Sequence, residues 1–139
     1  MLFRSEQDAE HRFQSFSSGV FRQHGITADR FIGKARWEVE SAEPVGTTWA
    51  EHRAALARHQ TFHDLVVKYR SSNGDEQYVM SSGEPVFDAA GRFSGYRGVS
   101  KLVTSRILLE RQQAEALQRL RESEDLLQKI TDKIGRAHV

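Results

Sequence analysis

Apolar positions in the second half of the chain fall into three runs separated by turn residues. Phe62 to Arg70 (FHDLVVKYR) is rich in β-branched and aromatic residues, which suits a pleated, half-buried strand. Asn73-Gly74 follows, a strong tight-turn signal between strands. Gln77 to Asp88 predicts the next strand, with Gly83 and Pro85 marking a bulge or bend. Asp88 to Gly91 turns the chain again, and Phe93 to Val103 predicts the last strand.

The first half is more broken. His11 to Ser17 (HRFQSFS) alternates around Phe13 as a short strand does. Phe21 to Gly25 predicts a brief helical turn that Gly25 ends. Thr27-Ala28-Asp29 opens another, with Phe31 and Ile32 packing inward and Gly33 stopping it. Lys34 to Glu40 is ambiguous, and Pro44 to Thr48 reads as loop with Thr48 as an N-cap. Trp49 to His59 is the clearest helix of this half. Trp49, His52 or Arg53, and Leu56 share a face, and alanines lie between. Helices segregated from a meander of strands predict an α+β fold with an antiparallel sheet. The helical half covers one sheet face and leaves a cleft between helix Trp49–His59 and the strands.

Ser105 to Lys133 differs in kind, having neither glycine nor proline and a heptad pattern. Leu109, Ala116, Ser123 and Ile130 fall at d, and Gln113, Leu120 and Leu127 at a. Gln113 and Ser123 interrupt the seam, which predicts a marginal, register-sensitive coiled coil. At ~1.5 Å per residue this helix extends about 40 Å, beyond the body of a domain with a radius of gyration of about 13 Å. Folding back on its own sheet is the alternative; the narrow apolar stripe favours projection and dimerisation through Leu109, Ala116, Leu120, Leu127 and Ile130.

Composition removes several classes of function. With 20 Lys plus Arg against 19 Asp plus Glu in 139 residues, the net charge of +1 makes no electrostatic case for nucleic acid or an anionic membrane. The absence of cysteine excludes disulfides, thiolate metal sites and flavin chemistry through a cysteinyl adduct. No apolar run approaches the roughly 18 residues of a membrane span, and no signal-peptide core is visible. A soluble, cytoplasmic chain is expected. The two ends have a separate explanation: IGRAHV and MLFRS back-translate to a common short-read sequencing adapter and its reverse complement. Residues 1–5 and 134–139 are therefore expected to be adapter-derived, leaving a fragment of about 6–133.

The run SGEPVFDAAGRFSGYRGVSKLVTSR resembles the C-terminal half of a PAS domain: SG-x-PVFD, a turn, G-x-F-x-GYRG, then a triplet leading into a signalling helix. WAEHRAALARHQTFHDLVVKYR resembles the family's long helix and following strand, and ITADRFIGKARWEV its short-helix region. The resemblance covers about Asp8 to Thr104 and implies a PAS domain over 6–104 followed by a coiled-coil signalling helix over 105–133. It implies that the first strand is largely missing, since that strand belongs before Glu6. It also implies a signal relay through Leu102-Val103-Thr104, where the family commonly has an aspartate that anchors the outgoing helix and this chain has Leu102. RESEDLLQKITDK resembles the lead-in helix of a second PAS domain. A bacterial sensor such as a histidine kinase or a diguanylate cyclase is the parent implied, with a downstream output domain as partner and no catalysis in the fragment itself.

Candidate chemistry is sparse. Trp49, His52, Leu56, Tyr78, Met80 and Tyr96 are the residues that would line a small-molecule pocket; core is the simpler role, since aromatics normally fill the cores of small domains. His52, His59 and His63 are the clustered metal-ligand candidates, yet the tight ligand set of structural zinc is missing. Some PAS relatives hold haem through a histidine on this helix, but a helix histidine is more commonly a partly buried polar group satisfied locally. No P-loop, G-x-S-x-G or G-x-G-x-x-G motif occurs. A sensory module that relays a ligand signal through its C-terminal helix is the leading expectation, and a ligand-free dimerisation scaffold the alternative.

Overall fold

The computed structural model describes residues 2–17 and 19–137. Met1, His138 and Val139, among the end residues set apart above, lie outside the described residues. The chain divides into two compact units, Met1–Thr104 and Ser105–Val139.

The first unit is built on one six-stranded antiparallel sheet. Its strands are β1 (Leu2–Gln7), β2 (Phe13–Phe16), β3 (Glu43–Val45), β4 (Phe62–Arg70), β5 (Glu76–Phe87) and β6 (Phe93–Leu102), in the spatial order β2-β1-β6-β5-β4-β3. Between β2 and β4 lie three 3-10 turns, Arg22–His24, Ala28–Arg30 and Arg36–Glu38, and one helix, α1 (Trp49–Ala57). Thr48 caps α1 as expected, its hydroxyl accepting from Glu51 N at 3.2 Å. The three long strands and their turns fall within a residue or two of their sequence assignments.

Three expectations are corrected. A first strand is present: Leu2–Gln7 pairs with both β2 and β6. The slot between β2 and β6 offers two rows of unpaired backbone groups, which any extended segment with the right alternation satisfies. Here Phe3 and Ser5 turn inward while Arg4 and Glu6 turn out. Glu43–Val45 is an edge strand rather than loop; Pro44 is tolerated there because its missing N–H breaks no central ladder. Ile32 is 43% exposed, so only Phe31 of that pair packs inward.

Register decides which side chains meet. Val67 faces Val79, Val79 faces Leu102, and Ser81 faces Ser100, which in turn faces Phe3. Directly opposed residues share a sheet face, so these line the inner face. Against it pack Val20, Phe21, Ile26, Phe31 and Val39 from the helical half, forming one core with Phe13 and Tyr69.

The second unit is formed by a single helix, α2 (Thr104–Ala137), whose first residue still belongs to the first unit. Leu109, Leu120, Leu127 and Ile130 are all exposed along it, as is Ala116. Ile134, exposed as well, continues the a series one heptad beyond Leu127. No helix among the described residues is long and apolar enough to cross a membrane.

Candidate functional site

The cleft expected from the sequence lies between α1, the 3-10 turns and the inner sheet face. Of the six pocket candidates, four border it. Leu56 and His52 are buried on the inward face of α1, and Trp49 packs half-buried against the core. Tyr96 is buried on β6, and its hydroxyl donates to Gln60 O at 2.7 Å, tying the sheet to the end of α1. The other two do not belong here. Tyr78 pairs opposite Lys68, and Met80 opposite Val66 and Lys101, one residue out of phase with inward Val79 and Ser81. Successive strand residues point to opposite faces, so Tyr78 and Met80 lie on the far side of the sheet. Strict alternation along YVMS contains that information.

The interior itself is nearly filled. Its remaining space is ≈ 10 Å³, lined among others by Phe3, Phe13, Phe21, Phe31 and Tyr69, about the volume that holds one water. A wider groove of ≈ 530 Å³ lies on the outer face around the exposed Glu84–Arg97 ion pair (2.8 Å) and His63.

What distinguishes the interior is its polar content. Arg36 is only 6% exposed. Its guanidinium lies 5.0 Å from the Phe13 ring centroid and 5.7 Å from that of Phe62. Nη1 donates to Ser81 Oγ at 3.4 Å, and Ser81 shares a 2.7 Å hydrogen bond with Ser100. Nε has no partner. Burial lowers the Arg36 pKa, opposed only by Tyr69, whose own hydroxyl is pushed up by burial. Gln7 Oε1 and His11 Nδ1 are the other buried polar atoms left without partners among the described residues. Sequence reading passed over Arg36, because nothing local marks an arginine as buried.

His52 is held neutral nearby. Burial first, then the positive charges of Arg36 and His11, bring its pKa from 6.5 to about 4. The ring packs edge-on against Phe62 at 4.8 Å. Between pH 6.5 and 4 the unfolded chain takes up a proton at His52 that the folded chain refuses, so stability falls as pH falls through that window. A full shift of that size is worth about 3 kcal/mol, and residual solvent contact lowers it to about 2 kcal/mol. Urea titrations at pH 7 and pH 4 should show His52→Gln losing about 2 kcal/mol less than the parent chain. Equal losses in both proteins would remove His52 as the cause. His59 lies past the end of α1 with φ 53° and stacks on Phe93 at 3.9 Å, while His63 is exposed on β4. No group of three or more potential ligand side chains comes together for a metal among the described residues.

The proposed relay triplet is tied to β5. Leu102 packs half-buried against the core, and Val103 N donates to Tyr78 O at 2.8 Å. Thr104 Oγ1 accepts from Tyr78 N at 2.9 Å and donates to Gln77 Oε1 at 2.7 Å. The threonine hydroxyl therefore fastens the chain at the start of α2 to the neighbouring strand, a contact that needs no aspartate at position 102.

No family model matches the chain, and no curated protein matches it. Solved structures do. An RNA-binding Light-Oxygen-Voltage receptor superimposes with a TM-score of 0.65 at 18% identity, over 84% of this chain and 34% of that one. This chain thus spans about a third of that receptor. The light-state Aureochrome1 LOV domain gives 0.59 at 16% identity, over 79% of this chain and 90% of the other. A sensory box histidine kinase/response regulator from Burkholderia thailandensis E264 gives 0.59 at 21%, over 87% and 91%. Six antiparallel strands in this order, a helical half on one face and a long C-terminal helix identify the architecture: the chain has the PAS/LOV fold.

Proposed function

We propose that this chain is a sensory PAS module that takes up a small ligand at its inner sheet face and passes the change to α2. The observation that carries the reading is the Thr104 contact. The hydroxyl links β5 to the chain just after β6, so displacement of either strand reaches the first residue of α2. The helix pairs with a second copy through Leu109, Ala116, Leu120, Leu127 and Ile130. Its imperfect seam holds two registers close in energy, which a modest input biases. A downstream output domain, of the histidine kinase or diguanylate cyclase kind, reads the register in the parent protein.

Because the chain has no cysteine, one introduced thiol reports pairing cleanly. Leu120→Cys is expected to cross-link two copies under oxidation. Thr104→Val should leave Tyr78 N–H without its acceptor, lower stability by about 1–2 kcal/mol, and change the cross-linking yield along the seam. A chain that stays monomeric at every seam position would sink the relay. A second reading, a ligand-free scaffold that only dimerises, is favoured by the filled interior. Mass spectrometry of the denatured, purified chain separates the two: a retained small molecule supports sensing, and its absence with an intact dimer supports scaffolding.

A further inference from the structure

Among the described residues, the interior holds one guanidinium with no counter-charge. Ion pairs in the first unit, Lys68 with Glu43 and Glu76, Arg92 with Asp88, and Arg97 with Glu84, all sit at the surface. Arg36 has none, and arginine does not shed its proton in proteins. Its immediate partners are two aromatic rings, Ser81 and Tyr69. A buried cation with only neutral partners is a costly element for a core that serves packing alone.

We propose that Arg36, with Ser81, Ser100 and Tyr69, is the recognition site for a small monocarboxylate carrying an apolar body. The donors match that group. Arg36 Nε–H is unused. The Ser81–Ser100 pair spends one hydroxyl hydrogen on its shared bond and leaves the other to donate. Guanidinium and hydroxyl together suit the two oxygens of a carboxylate. A single cation fits a single negative charge, which disfavours phosphate and other dianions. Phe3, Phe13, Phe31 and Val79 around the same space suit an apolar remainder.

Room for it comes from one place. Val20 and Phe21 plug the interior while their backbones lie at φ 40° and 53°, a left-handed region that strains β-branched and bulky residues. On their outer side is an open groove of ≈ 630 Å³ that also borders Leu102. Rotation of Phe21 toward that groove opens the interior and presses on the residue that precedes Val103 and Thr104. This identifies the ligand class for the sensory reading and rests on it.

The test uses the whole chain and benzoate as probe, with benzamide as its neutral counterpart and sodium chloride at matched ionic strength. Benzoate is expected to raise the melting midpoint in a concentration-dependent way, while benzamide and chloride do not. Arg36→Met, which removes the unpaired charge, should fold at least as stably without ligand and bind benzoate about tenfold to hundredfold more weakly. Arg36→Gln serves if the methionine variant does not fold, and Phe21→Ala should bind benzoate more tightly by relieving the plug. No shift with benzoate, an equal shift with benzamide or chloride, or undiminished binding by both Arg36 variants overturns the proposal. Should benzoate bind but leave the Leu120→Cys cross-linking unchanged, the site stands and the relay falls. Should benzoate fail while another small molecule is retained on purification, the relay stands and the carboxylate site falls.

Discussion

Gly95→Ala is expected to be the most damaging single-methyl change in the chain. Gly95 adopts φ 147°, and an added Cβ would lie 1.9 Å from Gln7 O and 2.9 Å from Gln7 C. Those are backbone atoms of β1, so no rotamer change relieves the overlap. Either β1 leaves its place between β2 and β6 or β6 bends away, and both outcomes break ladder bonds at the Gln7–Tyr96 pair. A loss of about 4 kcal/mol or more is expected, in the range reserved for strain and broken backbone networks, with a midpoint lower by about 20 °C. Gly91→Ala is the control. It too has positive φ (77°), but a Cβ there meets nothing within 4 Å, so only the left-handed penalty of about 1 kcal/mol applies. Equal losses from the two substitutions, measured by urea unfolding, would show that the close approach of β1 to β6 is not what Gly95 serves.

The second large effect is expected at Phe13. Its ring is buried, stacks on Phe16 at 5.2 Å, meets Phe31 edge-on at 5.7 Å and lies beneath the Arg36 guanidinium. Phe13→Ala removes all of these at once and leaves a hole walled by aromatic rings on a sheet that cannot collapse into it. A loss of about 3–5 kcal/mol follows from the transfer and cavity terms together. Phe87→Ala, at a half-exposed ring near the end of β5, should cost far less. If the two variants unfold at the same urea concentration, Phe13 is not the keystone of the helical half's packing on β2.

Both predictions concern residues whose roles were unequally visible beforehand. Phe13 was legible as part of a strand, because HRFQSFS alternates around it and an apolar strand residue between polar ones suits the buried face. The position of Gly95 was visible as part of a glycine-rich final strand, but its purpose was not, since the atom it avoids belongs to a strand nearly ninety residues earlier in the chain. The pocket candidates divide in the same way. Leu56 and His52 follow from helical spacing on α1 and are buried together. Tyr78 and Met80 were expected to share the cleft with Tyr96, and the pleat places them on the other face. The thread Tyr78–Thr104–Gln77 joins residues 26 and 27 positions apart through one hydroxyl, a meeting that depends on how β5 lies beside the end of β6.

Elements whose cause is local could be read from neighbouring residues alone. Period-2 runs, Asn73-Gly74 and the turn at Asp88 to Gly91 specified β4, β5 and β6; Thr48 and the alanines specified α1; a run from Ser105 to Lys133 without glycine or proline specified α2. Those signals act between near neighbours, where propensity and turn geometry suffice. Long-range packing, by contrast, makes Leu2–Gln7 fill the slot between β2 and β6, lets Phe side chains from four segments close the interior, and puts Arg36 inside it without a counter-charge. Each of these depends on backbone and side chains brought together from distant parts of the chain. Burial, unlike strand or helix preference, is a property of that assembly and is written at no single position.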